Sequence, residues 1–473
     1  MASDNTKSSD VSYADNAPRI SKDDLFMIIA LWMQDFVTHE EAEIDENINQ
    51  VGAVLVSADD KIYAADCSRE GVHAVARLLI KHPEKMKGSK IFMSRKPCSF
   101  CAKLLVQSKI QRVLYLPFYP EYYARNNENE MDKLARNNEN EMDKLARNNE
   151  NEMDKLARNN ENEMDKLARN NENKMEEVDE LFKSSSIASS LFVFKIEENV
   201  LIHENINNDP SMVSDHISFL EKKFKLDQWK SGWLKEESGK MKRELPWRIF
   251  DSNIGAEVEK RFNDAIKWMA RVIAASGRSL KDEFLMCPLL PQNKNASSSS
   301  ETHPFSNFDP TKEKDRQKAN HLMILASFLT QRTDDPKTGV GAVIVNSKMD
   351  ILSFGWNGFP QKARYGEFGR GSNHDKGVKS KLPYVIHAEQ NALLMRNCHN
   401  VKDAILFVTK QPCNECTPLL AMEGITTVVV GDEVKEDLPQ KALGYDMFPK
   451  MVKNGKFSCF ESTLSRKHKP MTE

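Results

Sequence analysis

A chain of 473 residues is too long for one ordinary domain, so two or three are expected. The net charge of −3, with 29% charged and 40% hydrophobic residues, gives no global attraction to a phosphate backbone and argues against a dedicated nucleic-acid binder. The longest apolar run, Leu25 to Met33, is far short of a bilayer span. The start Met1-Ala2-Ser3-Asp4 lacks a basic-then-apolar leader and four of the eight cysteines form two C-x-x-C pairs, so an intracellular protein with reduced thiols is expected.

Residues 1–20 are polar and rich in Ser, Asp and Asn, and read as disordered. Ser21-Lys22-Asp23-Asp24 then caps a helix through Leu25–Met33, which reads as a buried packing helix in preference to a nuclear-export type of amphipathic segment. From Val51 the pattern turns to strands: Val51–Val56, a turn over 57–60, and Lys61–Ala64. His73-Ala74-Val75 follows, then Ile91-Phe92-Met93 leading to Pro97-Cys98-Ser99-Phe100-Cys101, and a strand at Val113–Leu116. The block Ala-Arg-Asn-Asn-Glu-Asn-Glu-Met-Asp-Lys-Leu next begins at Ala124, Ala135, Ala146 and Ala157, with a decayed copy over 168–178. A period of eleven, about 3.67 residues per turn, would align Met131, Leu134 and their successors on one stripe of a long helix. Asn-rich composition and exact repetition favour a tolerated insertion over a partner-binding helix. Leu191–Phe194 resumes a strand. Residues 201–287 read as a helical connector, amphipathic over 258–273, whose Trp229, Trp233, Trp247 and Trp268 suit packing better than base stacking. Residues 288–309, with Ser297–Ser300, form a flexible linker.

The second half repeats the first. A helix over Asp315–Thr330 leads through Arg332-Thr333-Asp334-Asp335-Pro336 to strands at Val340–Val345 and Ile351–Phe354. His387-Ala388-Glu389 then opens a helix, Ile405–Thr409 is strand-like, and Pro412-Cys413-Asn414-Glu415-Cys416 opens a further helix. His73 precedes Cys98 by 25 residues and His387 precedes Cys413 by 26, so the chain reads as a duplication. The expected domains are a disordered start (1–20), a first copy (21–200, including the 124–178 insertion), the connector (201–287), the linker (288–309), a second copy (310–464) and a basic tail (465–473). That tail, with Arg466-Lys467-His468-Lys469, reads as a solvated end or a nuclear localisation signal, and the expected compartments are cytoplasm and nucleus.

One imidazole and two thiolates make three ligands for a tetrahedral Zn²⁺ and leave the fourth position to water. Either half of this pattern alone has plainer readings: a structural zinc knuckle or redox pair for C-x-x-C, a core residue for the histidine. Together, His387, Cys413 and Cys416 with Glu389 two residues beyond the histidine match the H-x-E with P-C-x-x-C signature of zinc nucleobase deaminases, in which the carboxylate moves protons without binding the metal. The first copy keeps His73, Cys98 and Cys101 but has Val75 where the glutamate would be. An alkyl group cannot move a proton, so this copy reads as a pseudo-catalytic domain with a structural zinc, or as a metal-free packing domain.

The second copy resembles the deoxycytidylate (dCMP) deaminase family through Val340–Asn346, Asn357-Gly358-Phe359-Pro360, Leu382–Ala392, the Pro412–Cys416 turn and Gly424–Val430. The resemblance implies an α/β fold of two three-layer α-β-α domains, each a central mixed sheet flanked by helices, and a homo-oligomer. It implies hydrolysis of cytosine to uracil on a free nucleotide, dCTP or dCMP, or on cytidine or deoxycytidine. It carries substrate contacts onto Asn357 at the sugar, Arg332 and Thr333 near the phosphate, and Tyr384 and Ala388. The sequence departs from the family after Pro360, where Gln361-Lys362-Ala363-Arg364 opens a basic loop. Lys362, Arg364 and Arg370 there could take extra phosphate, which points to dCTP as substrate or to a nucleotide effector; the alternative is a solvated loop. The partners expected are a small-molecule nucleotide and further copies of the chain, with no membrane and no nucleic acid. A polynucleotide cytosine deaminase and a non-enzymatic scaffold are the competing functions.

Overall fold

The computed structural model describes residues 19–36, 50–118, 177–196, 202, 210–224, 254–278, 280, 286–288, 308–309, 312–335, 338–360, 380–382, 384–432, 434 and 444–462. The start, nearly all of the repeat, most of the linker, the tail, Trp229, Trp233, Trp247 and the three basic residues Lys362, Arg364 and Arg370 lie outside them. The described residues fall into two compact units, one over 26–193 and the other over 19–25, 194–224 and 254–462.

In the first unit five strands are ordered β2-β1-β3-β4-β5. β1 (Gly52–Val56) and β2 (Ile62–Cys67) form an antiparallel hairpin with a register shift at Leu55/Val56. β3 (Lys90–Met93) runs antiparallel to β1, while β4 (Arg112–Tyr115) and β5 (Ala188–Leu191) continue parallel. The β1 run is buried throughout, as a strand covered on both faces must be. α2 (Ala74–Lys81), α3 (Ser99–Gln107) and a helix over 177–184 cover one face, where Leu78, Leu105 and Phe182 pack with Leu55, Ile91 and Val113. α1 (Lys22–Met33) covers the other, with Phe26 edge-on to Phe92 at 5.4 Å. Its N-terminus is fixed as the sequence predicts: the Asp24 N–H donates to Ser21 Oγ (3.0 Å) and the Ser21 hydroxyl donates to the Asp24 carboxylate (2.7 Å). Leu25 through Met33 are all buried, so this is a core helix.

The second unit repeats the plan. Its six strands are ordered β6-β11-β10-β9-β7-β8. β7 (Gly341–Val345) and β8 (Ile351–Trp356) form the hairpin, with the register shift at Ile344/Val345, the position equivalent to that in the first unit. β9 (Ile405–Val408) is antiparallel to β7, and β10 (Thr427–Val430) and β11 (Ser458–Ser462) follow in parallel; β6 (Met286–Pro288) adds an antiparallel edge. The helices are α4 (Pro210–Lys223), α5 (Ile254–Ala275), α6 (Glu313–Thr330), α7 (Ala388–Leu394), α8 (Cys416–Met422) and α9 (Met447–Lys453). Leu393, Leu420 and Phe448, from α7, α8 and α9, share one core with Ile344, Leu406 and Val428. Trp268 of α5 is buried and stacked on Phe328 of α6 (5.9 Å, 29°), a packing residue as its sequence context indicates. The fold is therefore the expected duplicated α-β-α architecture.

Two local expectations shift. The strand placed at Leu191–Phe194 lies at Ala188–Leu191; Phe192, Phe194 and Ile196 are buried and Val193 and Lys195 exposed, so the period of two is real but continues past the strand. The edge strand β6 stands in the stretch read as helical connector.

Candidate active site

The site is built where α7 and α8 begin. α7 lies close on β8: Asn391 Nδ2 donates to Trp356 O (2.7 Å), the Ser353 hydroxyl donates to Ala392 O (2.5 Å), and a Cβ on Gly355 would run into Ala388 O and Ala392 N. An isolated bridge joins Gly358 and Ile386 through both backbone bonds (3.0 and 2.8 Å), so His387 enters the helix from a fixed strand-like backbone. Its N–H donates to Gln390 Oε1 (3.0 Å), satisfying one of the orphan donors of a helix start. β9 delivers the turn that holds the cysteines, which the Thr417 hydroxyl ties down by donating to Cys413 O (2.8 Å).

His387 Nδ1 stands 3.3 Å from Cys413 Sγ and 3.3 Å from Cys416 Sγ. Ligands on a tetrahedral Zn²⁺ with ordinary Zn–N and Zn–S lengths would be about 3.6 Å apart, so these three donors fit one ion within a few tenths of an ångström. The donor set is also electronically suited: the hydrogen bond from Cys416, opposed by burial and helped by His387, pulls the Cys413 thiol down to about 4. Burial lowers the His387 pKa, but the hydrogen bond and charge of Cys413 outweigh it and leave it raised. Cys416 is raised by its hydrogen bond to Cys413 and by burial.

Glu389, 5% exposed, opens onto the same space. Burial lifts its carboxyl to about 7, with the Cys413 charge adding to the rise and the His387 charge opposing it. A carboxyl poised near neutral pH suits reversible proton transfer. The cavity in front of it is about 110 Å³, lined by Asp335, Asn357, Lys381, His387, Glu389 and Tyr445 among others. That is well under the roughly 300–1,000 Å³ of pockets that enclose a drug-sized ligand, so it has room for only part of a ligand of that size.

The predicted residues separate into two groups. His387, Ala388, Glu389, Cys413 and Asn357 line the cavity, and Cys416 completes the metal-ligating cluster. Arg332, Thr333 and Tyr384 do not line it. Arg332 donates to Ile20 O (2.8 Å), Thr333 Oγ1 accepts from the Asp335 N–H (3.0 Å), and the Tyr384 N–H donates to Lys381 O (2.9 Å). Asn357 is committed within the protein: Oδ1 accepts from the Val340 N–H (2.7 Å), and Nδ2 donates to Thr338 O (2.8 Å) and Asp335 Oδ2 (3.3 Å). These bonds hold it in the cavity wall.

Sequence reasoning missed part of the wall. Asp335 and Lys381, 3% and 5% exposed, form a buried ion pair beside Asn357. Tyr445 reaches the cavity from the loop before α9; its backbone oxygen accepts from Gln411 Nε2 (3.0 Å), and burial pushes its hydroxyl up to about 12. Lys410 and Gln411 come from the turn after β9. The signals available were the adjacency of Lys410 and Gln411 to Pro412-Cys413 and of Asp335 to Thr333.

In the first unit His73 Nδ1 lies 3.5 Å from Cys98 Sγ and 3.3 Å from Cys101 Sγ, so a second three-donor cluster is formed. The hydrogen bond with Cys101 is the main cause that brings Cys98 down to about 5. Val75, wholly buried, occupies the place of Glu389, and Phe100 stands edge-on to His73 at 5.2 Å.

Fold and site together define a zinc-binding α/β protein whose metal donors recur in both copies and whose carboxylate is in one. The family described as the cytidine and deoxycytidylate deaminase zinc-binding region matches residues 27–117 and 316–432. A probable deoxycytidylate deaminase of Drosophila melanogaster is 30% identical over 174 residues, 31% of this chain and 86% of that protein. The chain belongs to the cytidine and deoxycytidylate deaminase family, and its cofactor is zinc. A cytidine and dCMP deaminase domain-containing protein 1 of Danio rerio is 25% identical over 454 residues, covering 91% of this chain and 88% of that protein. The human deoxycytidylate deaminase is 37% identical over 109 residues, 23% of this chain, and the chain spans 61% of its length. A crystal structure of a dCMP deaminase from the cyanophage S-TIM5, in complex with dCMP and dUMP, aligns over 30% of this chain and 93% of that one, with 24% identity and a TM-score of 0.23. Among the described residues no helix is long and apolar enough to cross a membrane.

Proposed function

We propose that the second unit hydrolyses the 4-amino group of cytosine on a free deoxycytidine nucleotide, dCMP or dCTP, giving the uracil nucleotide and ammonia. The observation that carries this reading is the buried Glu389 carboxyl facing the same cavity as the donors His387, Cys413 and Cys416. His387, Cys413 and Cys416 would hold the Zn²⁺, which would supply Lewis-acid activation of a water. Glu389 would take one proton from the water as its oxygen bonds to C4 and deliver that proton to N3; it would then take the remaining proton of the new C4 hydroxyl and pass it to the amine, so that the C4–N bond breaks, C4=O forms and ammonia leaves. Burial tunes it for both directions of transfer. Asn357, held by Val340, Thr338 and Asp335, keeps the wall in shape, and the small cavity takes the pyrimidine end of the nucleotide. The substrate class is supported by the relatives named deoxycytidylate deaminase and by the net charge of −3, which disfavours a polynucleotide.

For the first unit we propose a zinc site at His73, Cys98 and Cys101 without catalysis, because Val75 can neither accept nor donate a proton. The deciding experiment incubates the zinc-loaded full chain with cytidine, deoxycytidine, dCMP, dCTP and cytosine-containing single strands and measures uracil. Turnover of the free nucleotides supports the reading; turnover confined to the oligonucleotides overturns it.

A further inference from the structure

Besides the metal donors, the cavity wall carries the charged side chains Asp335, Lys381, Glu389 and Lys410, and their surroundings are unequal. Asp335 and Lys381 neutralise one another as a buried pair, and the Asp335 carboxylate also accepts from Asn357 Nδ2 (3.3 Å) and the Thr338 N–H (3.3 Å). Glu389 is the acid nearest the metal donors. Lys410 alone is left with a positive charge that has neither an ion pair nor a hydrogen bond among the described residues. It is half-buried, so among the described residues its ammonium is the uncompensated charge of the wall.

The backbone that carries Lys410 is fixed on both sides. Before it, the Thr409 N–H donates to Gly341 O (3.0 Å) and Thr409 Oγ1 accepts from the Gly341 N–H (3.1 Å). After it, Gln411 Nε2 donates to Tyr445 O (3.0 Å), and Cys413 follows two residues on. A lysine at the free end of a surface loop would be a solvated charge with nothing to bind. This one is anchored between β9 and the metal-binding turn and faces the small cavity. An ammonium held against a partly desolvated wall, with no acid paired to it among the described residues, is a place for an anion.

We infer that Lys410 is a specificity-determining residue that binds a phosphate oxygen of the nucleotide, so that the site favours phosphorylated deoxycytidine over the nucleoside. The inference rests on the proposed deaminase reading and deepens it by naming the group that reads the phosphate. Lys410 acts on binding and takes no part in the proton transfers.

The test compares the zinc-loaded full chain with its Lys410→Met and Lys410→Arg variants. Deamination of dCMP and of deoxycytidine is measured, and the Glu389→Gln protein with and without Lys410→Met is titrated calorimetrically with dCMP. Removing one charge-assisted contact should cut the dCMP-to-deoxycytidine ratio of kcat/KM about tenfold to a hundredfold, mainly through KM, and weaken dCMP binding by a similar factor. Lys410→Arg should restore most of the ratio. An equal fall on both substrates, no change in the ratio, or dCMP affinity independent of Lys410 would overturn the inference while leaving the deaminase reading intact. A wild-type protein that neither binds dCMP nor deaminates any cytosine compound would overturn both.

Discussion

The Asp335–Lys381 pair offers a sharp energetic test, because both residues are buried and line the cavity. Removing one member of a buried pair strands the other charge and typically costs about 3–5 kcal/mol. The two deletions should not be equal. In Lys381→Met the Asp335 carboxylate keeps the Thr338 N–H and Asn357 Nδ2 as donors, both at 3.3 Å, so the cost should sit near the bottom of that range. Asp335→Ala strands an ammonium and also removes the acceptor for those two donors, at about 1 kcal/mol each, which places it at the top. For a domain of this size, 3–5 kcal/mol corresponds to roughly 6–20 °C in Tm. Calorimetric unfolding of the two single variants and of the Asp335→Leu, Lys381→Met double variant measures all three losses. The double should cost less than the sum of the singles by at least about 2 kcal/mol, since no charge is then left buried. Single losses below about 1 kcal/mol, or strictly additive ones, would show that the pair is not the desolvated contact described above.

Gly355→Ala should displace α7, because the new methyl would meet Ala388 O and Ala392 N; we expect both a lower Tm and lost deamination, and a variant with wild-type Tm would contradict this packing. His321, buried in α6, has its pKa lowered by burial and, secondarily, by Lys223, so its neutral form is favoured in the fold. The associated stability is present above the unfolded value of about 6.5 and falls as pH drops through it, by at most about 1.4 kcal/mol per pH unit. His321→Gln should flatten the stability-versus-pH curve between pH 7 and 5.5, and an unchanged slope would refute the assignment. Metal analysis of the purified full chain should find two zinc ions, falling to one in His73→Ala with deamination retained; two ions remaining in that variant would exclude the first-unit cluster as a ligand set.

Much of this was legible in the sequence because each signal was local. The runs Val51–Val56 and Val340–Val345 read as buried strands since every residue in them is apolar or glycine, and the metal donors follow at fixed spacing on helix starts. Ser21 and Asp24 announced the start of α1 through capping chemistry. What escaped was non-local. Lys381 lies 46 residues from Asp335 and reads as one more charge of a basic loop until the fold brings the two together. Tyr445 lines the cavity with its backbone oxygen held by Gln411, a contact across 34 residues that no local pattern encodes. Arg332 and Thr333 were carried over with the family likeness; in the fold they lie outside the cavity lining, with Arg332 donating to Ile20 O and Thr333 Oγ1 accepting from the Asp335 N–H.

The central claim is that the second unit does chemistry because it alone joins a carboxyl to the three metal donors. It is tested most directly by assaying uracil formation from dCMP and dCTP with wild-type and Glu389→Gln protein whose zinc content is measured on the same samples. Full zinc occupancy is expected in both proteins, with a rate about 10²–10⁴-fold lower in the variant. Undiminished turnover in Glu389→Gln, or a loss that merely follows a loss of zinc, would contradict it.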